Sequence, residues 1–297
     1  MSDTSSAPFS LRASGRLRRR QLVNRAMGGL ALGAAALAVT VLAIVVISVG
    51  SRGAGALNLD FFTQSQPQGF NPKGGGVLFA IVGTAILVGI ATLIALPLGV
   101  LVAIYVSELA SPRLARLARM ALDITNGIPT IVIGIFVFTM IVAAHGQSAF
   151  AGAIGLAIIM LPLIARATEE VLLLVPASQR EASLALGVSR WRTTLQVVVP
   201  SALGGIITGT TLAIARAAGE TAPLLFLTSL GVSSHADLNP FHPLQSLTLV
   251  IFTYSEQGDP GLQAKAWAAA FILMCFVLFT SLASKLALAR YRKKLGG

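Results

Sequence analysis

The sequence has few of the residues that form disulfides, bind metals or carry out acid–base chemistry. Its 297 residues include one cysteine and three histidines. The single cysteine, Cys275, excludes an intrachain disulfide, and no CxxC or Cys/His cluster is present to hold zinc. The P-loop motif of nucleotide-binding proteins does not occur either. We therefore predict no metal site, no cofactor and no catalytic residue.

Charge is also scarce. Charged residues make up 11% of the chain and hydrophobic residues 55%, and 22 Lys and Arg against 11 Asp and Glu give a formal net charge of +11. Excess positive charge in a soluble chain would suggest nucleic-acid binding. Here it is concentrated between apolar runs longer than a soluble core needs, and basic segments of this kind face the cytoplasm in membrane proteins. We predict an all-α protein in the lipid bilayer, with no nucleic-acid partner.

About six apolar segments are long enough to cross a membrane, and Lys and Arg are abundant in both tails. A cleaved signal peptide is disfavoured because the first apolar run is too long. The predicted spans are residues 27–49, 77–106, 120–144, 150–164, 204–230 and 262–286. In domain terms, we predict a disordered basic cytoplasmic tail over 1–26, a first span over 27–49, a transmembrane domain over 77–288 and a basic cytoplasmic tail over 289–297.

Two of the spans carry further signals. The third span opens with D-I-T-N-G-I-P at residues 123–129, a stretch that weakens a regular helix. Such breaks survive in a membrane only where protein or water satisfies the backbone. The fourth span is expected to continue as a helix through Arg166, Glu169 and Glu170. An outward loop is predicted over residues 233–261.

Between the fourth and fifth spans lies a polar, basic stretch at residues 175–200. Ser178 and Glu181 are three residues apart, as in a capping box, so a helix is predicted to begin there. Gly187 is expected to end that helix in the left-handed conformation. A second helix, capped by Ser189, should run from Arg190 to about Val199, with Pro200 near its end. The alternative is an ordinary basic loop between spans.

The fifth span contains two charges, Arg216 and Glu220, four residues apart, and the rise per residue of a helix places Arg216 near mid-membrane. Insertion scales put the cost of each central charge at about 2.5–3.5 kcal/mol. The pair either holds helices together or lines a transport path in which Arg216 meets an anion. Pro223 should break the helix just beyond the pair, which favours a cavity there.

The 175–200 stretch resembles the EAA loop of ABC-importer permeases. Its pattern is Glu-Ala-Ser, three residues, Gly, nine residues, then Val-x-Val-Pro. Ser183, Val197 and Val199 depart conservatively from the family pattern, and the matching positions are Glu181, Ala182, Gly187 and Pro200. The resemblance implies a type I permease fold, a loop that docks into a groove on a separate ATPase subunit, and ATP hydrolysis on that partner rather than on this chain.

A second resemblance concerns A-R-A-A-G-E-T-A-P-L-L-F at residues 215–226. With N-G-I-P at 126–129 and L-P-L-I-A-R-A-T-E-E at 161–170, this run is similar to A-type permease subunits of Pst phosphate importers. The similarity extends over roughly residues 79–286. It implies phosphate as the substrate, a bacterial inner-membrane location, two copies of an ATP-binding subunit, a C-type permease partner and an extracytoplasmic phosphate-binding protein.

On this interpretation Arg216 and Glu220 line the substrate path. Arg166 is a further candidate near the cytoplasmic exit, with pairing to Glu169 or Glu170 as its structural alternative. A secondary transporter or channel for another anion is the competing function, and inverted repeats would favour it. An intramembrane hydrolase is the competing enzyme, but it would need a buried base that the chain does not offer.

The charge distribution generates a topology prediction. Reporter fusions in the N-terminal tail and at Ser178 should give a cytoplasmic signal, and a fusion near Asp237 should give an external one, because Lys and Arg mark the inner side. Activity and accessibility of the reporter measure this directly. An external signal at Ser178 contradicts the scheme, because an ATPase could not reach the loop.

Overall fold

The fold is that of a computed structural model, which describes residues 15–66, 75–228 and 239–295. Every regular element within these ranges is helical, as predicted. The α-helices are α1 Arg16–Gly53, α2 Leu59–Thr63, α3 Leu78–Ile104, α4 Pro112–Gly127, α5 Thr130–Val137, α6 Ala143–His145, α7 Ala149–Leu173, α8 Ala177–Ala185, α9 Arg190–Thr193, α10 Val199–Ala218, α11 Leu224–Leu227, α12 Leu247–Ser255 and α13 Pro260–Leu295. The chain divides into two compact units, residues 1–48 and residues 49–297.

In the first unit, α1 begins at Arg16, inside the segment predicted to be a disordered tail. That prediction is wrong for residues 16–26. The segment contains no proline or glycine, and its Arg, Leu and Gln residues are good helix formers, so the apolar helix extends back through it. The rest of the predicted tail, residues 1–14, lies outside the described ranges.

Five helical segments are long and apolar enough to cross a membrane, and a bent pair makes a sixth if it counts as one span. The bent pair is α4 and α5, whose axes meet at 95°. The bend lies at Pro129, and the preceding Ile128 is extended (φ −70°, ψ 130°), as a residue before proline prefers. The predicted break at 123–129 is confirmed, and so is the continuation of α7 past Arg166.

The second unit is built around α7, which packs against α3 on one side and α10 on the other. Small residues make this possible. A Cβ atom at Gly99 of α3 would lie 2.9 Å from Cγ2 of Ile164, and one at Gly209 of α10 would lie 2.4 Å from Cβ of Ala167. Buried alanines such as Ala91 line the same contacts. Close backbone approach of this kind is how membrane helices gain contact energy without a hydrophobic driving force.

The fifth span differs from its prediction. Helix α9 continues through a π-helical turn at residues 194–198 into α10, which ends at Ala218. There is therefore no separate helix ending near Pro200. That proline lies in the first turn of α10, where its missing N–H costs little. Beyond Ala218 the chain turns at Gly219 and resumes only as the short α11, so 204–230 is not one span.

The predicted outward loop at 233–261 contains a helix, α12. Leu249 and Val250 are fully buried, and the hydroxyl of Ser246 accepts from the Leu249 N–H at 3.3 Å to cap the helix. Nine residues are too few to cross a membrane, which is why hydropathy did not reveal α12. Residues 233–238 of the loop lie outside the described ranges. Helix α13 continues to Leu295, so much of the predicted tail 289–297 is helical.

The packing around α7 predicts a contrast between two glycines of α3. Gly99→Leu must displace Ile164, and overpacking of this kind costs about 1–3 kcal/mol. Gly89→Leu is the matched control, because no heavy atom lies within 4 Å of its Cβ position. We expect a lower midpoint of thermal unfolding in detergent for Gly99→Leu and an unchanged or higher one for Gly89→Leu. Equal midpoints would contradict the packing.

Candidate functional site

The stretch predicted to contact an ATPase folds as a helical hairpin of α8, Gly187 and α9. Gly187 has φ +79°, and its N–H donates to the Leu184 carbonyl at 2.9 Å. The Val188 N–H donates to the Ser183 carbonyl at 3.3 Å, which completes a Schellman motif. The predicted left-handed glycine is confirmed. The Ser183 and Thr193 hydroxyls lie 3.0 Å apart and hold α8 against α9.

The predicted capping box is absent. Helix α8 begins at Ala177, after Pro176, and no side chain caps it. Proline fixes its own φ near −65°, which suits the residue before a helix, so α8 begins earlier than Ser178. Ser178 lies exposed in the first turn instead. Ser189 does occupy the N-cap position of α9, but its hydroxyl makes no capping bond.

The outer side of this hairpin is open to solvent. Glu181 and Ala182 are exposed, and Glu181 forms no ion pair or side-chain hydrogen bond with any described residue. Leu186 is 84% exposed and Trp191 is 48% exposed. Large apolar side chains beside an unpaired carboxylate are typical of a protein–protein contact surface.

Arg216 and Glu220 lie at the C-terminal end of α10 rather than in its middle. Arg216 is in the last turn, and Glu220 follows the helix end, so the pair does not lie in the middle of one continuous helix. Nε of Arg216 is 3.7 Å from Oε1 of Glu220, too long for a hydrogen bond. The Arg216 side chain is 50% exposed and that of Glu220 is 14% exposed. The guanidinium therefore keeps donors available for an oxyanion.

The main chain of Glu220 is fixed from α12. The Thr248 hydroxyl donates to the Glu220 carbonyl at 2.9 Å, and it also lies 2.8 Å from the Ser246 hydroxyl at the helix cap. The buried α12 thus holds the turn that carries the carboxylate, while the carboxylate itself stays loosely paired. This arrangement positions Glu220 without immobilising Arg216.

Arg166 has a different environment. Its guanidinium donates to both carboxylate oxygens of Asp123 on α4 and, at 3.1 Å, to Oε2 of Glu169 one turn along α7. Glu169 is only 4% exposed and also accepts from Arg119 of α4. The expected pairing with Glu169 is confirmed, whereas Glu170 is exposed and takes no part. These four charges balance and attach α4 to α7; Glu169 is the buried member, so its carboxylate is unfavourable without a cationic partner.

The two arginines predicted to line the path therefore have different partners: Arg216 lies near Glu220, whereas Arg166 pairs with Asp123 and Glu169. Sequence reasoning missed the contacts that Asp123 and Arg119 of α4 make with α7, and it missed an ion pair between Glu108 and Arg180. A signal was available, since each of these charges adjoins an apolar run and a charge there needs a partner. The spacing could not identify the partners, because the pairs join residues 43 to 72 positions apart.

A model of the family described as binding-protein-dependent transport system inner membrane component matches residues 95–293. Phosphate transport system permease protein PstA 1 of Mycobacterium tuberculosis is 42% identical over 213 residues, which cover 71% of this chain and 69% of that protein. PstA of Xylella fastidiosa is 39% identical over 276 residues, covering 92% and 95% of the two chains.

Two solved structures share the fold. A bacterial alginate ABC transporter aligns with a TM-score of 0.62 at 14% identity, covering 91% of this chain and 96% of that one. The MetNI methionine ABC transporter aligns with a TM-score of 0.57 at 22% identity, covering 72% and 94%. The chain is therefore a multi-pass membrane protein with the ABC-importer permease fold, and it belongs to the family of binding-protein-dependent transport system inner membrane components.

Proposed function

We propose that this chain is a permease subunit of an ATP-driven phosphate importer in the bacterial inner membrane. The observation that carries the proposal is the 42% identity with a phosphate transport system permease over 213 residues. The chain itself breaks no bond. It forms part of the translocation path, and a separate ATP-binding subunit hydrolyses ATP.

Arg216 is the proposed contact for phosphate. Phosphate carries between one and two negative charges at neutral pH, and an arginine fork can donate to two of its oxygens at once. The half-exposed guanidinium, with one carboxylate at 3.7 Å, is available for such a contact. Glu220 then competes with the anion for the guanidinium, so that phosphate can leave again.

Arg166 is the second proposed path residue, and its guanidinium is more completely paired than that of Arg216. Both sides of its guanidinium already have carboxylate partners, so phosphate would have to displace one of them. The Asp123 side chain is 62% exposed and the Glu169 side chain is 4% exposed, so Asp123 is the partner that could be displaced. In the arrangement seen here, Arg166 attaches α4 to α7.

The α8–α9 hairpin is the proposed contact with the ATP-binding subunit. Glu181, Ala182 and the exposed apolar side chains would enter a groove on that subunit, Gly187 makes the turn, and Ser178 lies on the open first turn of α8. Helix α9 runs through Pro200 into α10 without a break, so motion of the hairpin would reach Arg216 through one continuous helix.

The family description and the relatives support a set of partners. We propose two copies of the ATP-binding subunit, a second permease subunit of C type and an extracytoplasmic phosphate-binding protein. The same scheme places both chain termini in the cytoplasm. Nothing in the described residues favours a nucleic-acid partner or transport of another anion by a channel.

Uptake of radiolabelled phosphate by vesicles that contain the whole complex tests this function. The wild-type complex should take up phosphate only when ATP is supplied. Arg216→Gln should abolish uptake because phosphate loses the guanidinium that donates to two of its oxygens. Arg216→Lys should retain part of the uptake because a positive charge remains. Glu220→Gln should slow turnover more than it impairs assembly.

Arg116→Gln is the matched control for these variants, since Arg116 is exposed and forms no ion pair with any described residue. It should leave uptake unchanged. All variants should insert and co-purify with the ATP-binding subunit. Normal uptake by Arg216→Gln would mean that the Arg216–Glu220 pair is structural and that phosphate passes elsewhere.

A further inference from the structure

One basic residue of the hairpin points inward. Arg180, on α8 directly before Glu181, forms a bidentate pair with Glu108, with Nη2 at 2.8 Å from Oε1 and Nε at 3.3 Å from Oε2. The same guanidinium donates to the Leu172 carbonyl at 2.8 Å and to the Val175 carbonyl. The Arg180 side chain is 23% exposed and that of Glu108 is 12% exposed. One side chain thus joins three segments of the chain.

The Leu172 carbonyl lies in the last turn of α7, where it also accepts from the Val175 N–H at 3.2 Å, and the Val175 carbonyl lies in the connection that follows the helix. A cation is favourable at this position because the carbonyl end of a helix carries partial negative charge. Glu108 lies in a π-helical turn, Tyr105–Leu109, that continues α3. A carboxylate at the end of a helix is unfavourable without a cation, so Arg180 compensates the ends of both α3 and α7.

The remaining arginines of the hairpin behave differently. Arg190 and Arg192 are exposed, and neither forms an ion pair or side-chain hydrogen bond within the described part of the chain. Along the chain, α8 follows α7 after the short connection from Leu174 to Pro176. Through the backbone alone, motion of α8 could be absorbed by that connection.

We propose that Arg180 is a positioning residue for coupling. It fixes the ATPase-facing helix α8 to the ends of α3 and α7, so that displacement of the hairpin moves both spans instead of bending the connection. The inference rests on the proposed function, because coupling presupposes a partner that hydrolyses ATP. It adds an internal link, Glu108–Arg180, to the outward-facing contact residues of the hairpin.

The test is the number of phosphate ions taken up per ATP hydrolysed by the whole complex in vesicles. We expect Arg180→Gln to lower this ratio about tenfold, with ATP hydrolysis and co-purification of the ATP-binding subunit retained. Glu108→Gln, which keeps the shape of the side chain and the carbonyl contacts of Arg180, should lower it less. Arg180→Lys should fall between wild type and Arg180→Gln, because one ammonium cannot reproduce the fork.

Arg116→Gln is again the matched control and should keep the wild-type ratio. A merely structural role for Arg180 would reduce uptake and hydrolysis in the same proportion, and that result would overturn the inference, as would a wild-type ratio in Arg180→Gln. A failure of the proposed function would give a different experimental result. In that case the wild-type complex itself hydrolyses ATP without taking up phosphate, and the inference about Arg180 falls with it.

Discussion

Close packing of α7 between α3 and α10 is the constraint on which the rest of the structure depends. Lipid tails are as apolar as leucine, so the helices gain little from burying apolar surface and must instead approach closely. Gly99 and Gly209 allow that approach. Arg166 and Glu169 lie on the side of α7, and the Leu172 carbonyl in its last turn accepts a hydrogen bond from Arg180 of the hairpin.

The charged residues separate into two groups by how completely they are paired. Arg166 and Arg180 each bind a carboxylate in bidentate fashion and two further acceptors, and both join helices. Arg216 and Glu181 lack such partners among the described residues and stay accessible. A charge that is fully paired stabilises one arrangement, whereas a loosely paired charge can exchange its partner for a ligand or another subunit. The second group is therefore where we place phosphate and the ATPase.

Local signals in the sequence were reliable where one residue controls the backbone. Pro129 produced the break and Gly187 the left-handed turn. The predicted capping box is wrong because α8 begins earlier, directly after Pro176. The predicted fifth span is wrong because α10 ends at the turn around Gly219. Helix α12 was too short for hydropathy to detect. The ion pairs of Asp123 and Glu108 connect distant segments, so only the packed structure could reveal them.

The central claim is that the α8–α9 hairpin is the surface through which a separate ATPase drives this permease. A photo-crosslinking residue at Leu186, the tip of the hairpin, tests it in membranes that contain the whole complex. The account predicts a crosslink to the ATP-binding subunit at Leu186 and none from the same probe at Leu93, which is 77% exposed on α3. A probe at Leu186 that reacts only with lipid or solvent, while the complex still hydrolyses ATP, would contradict it.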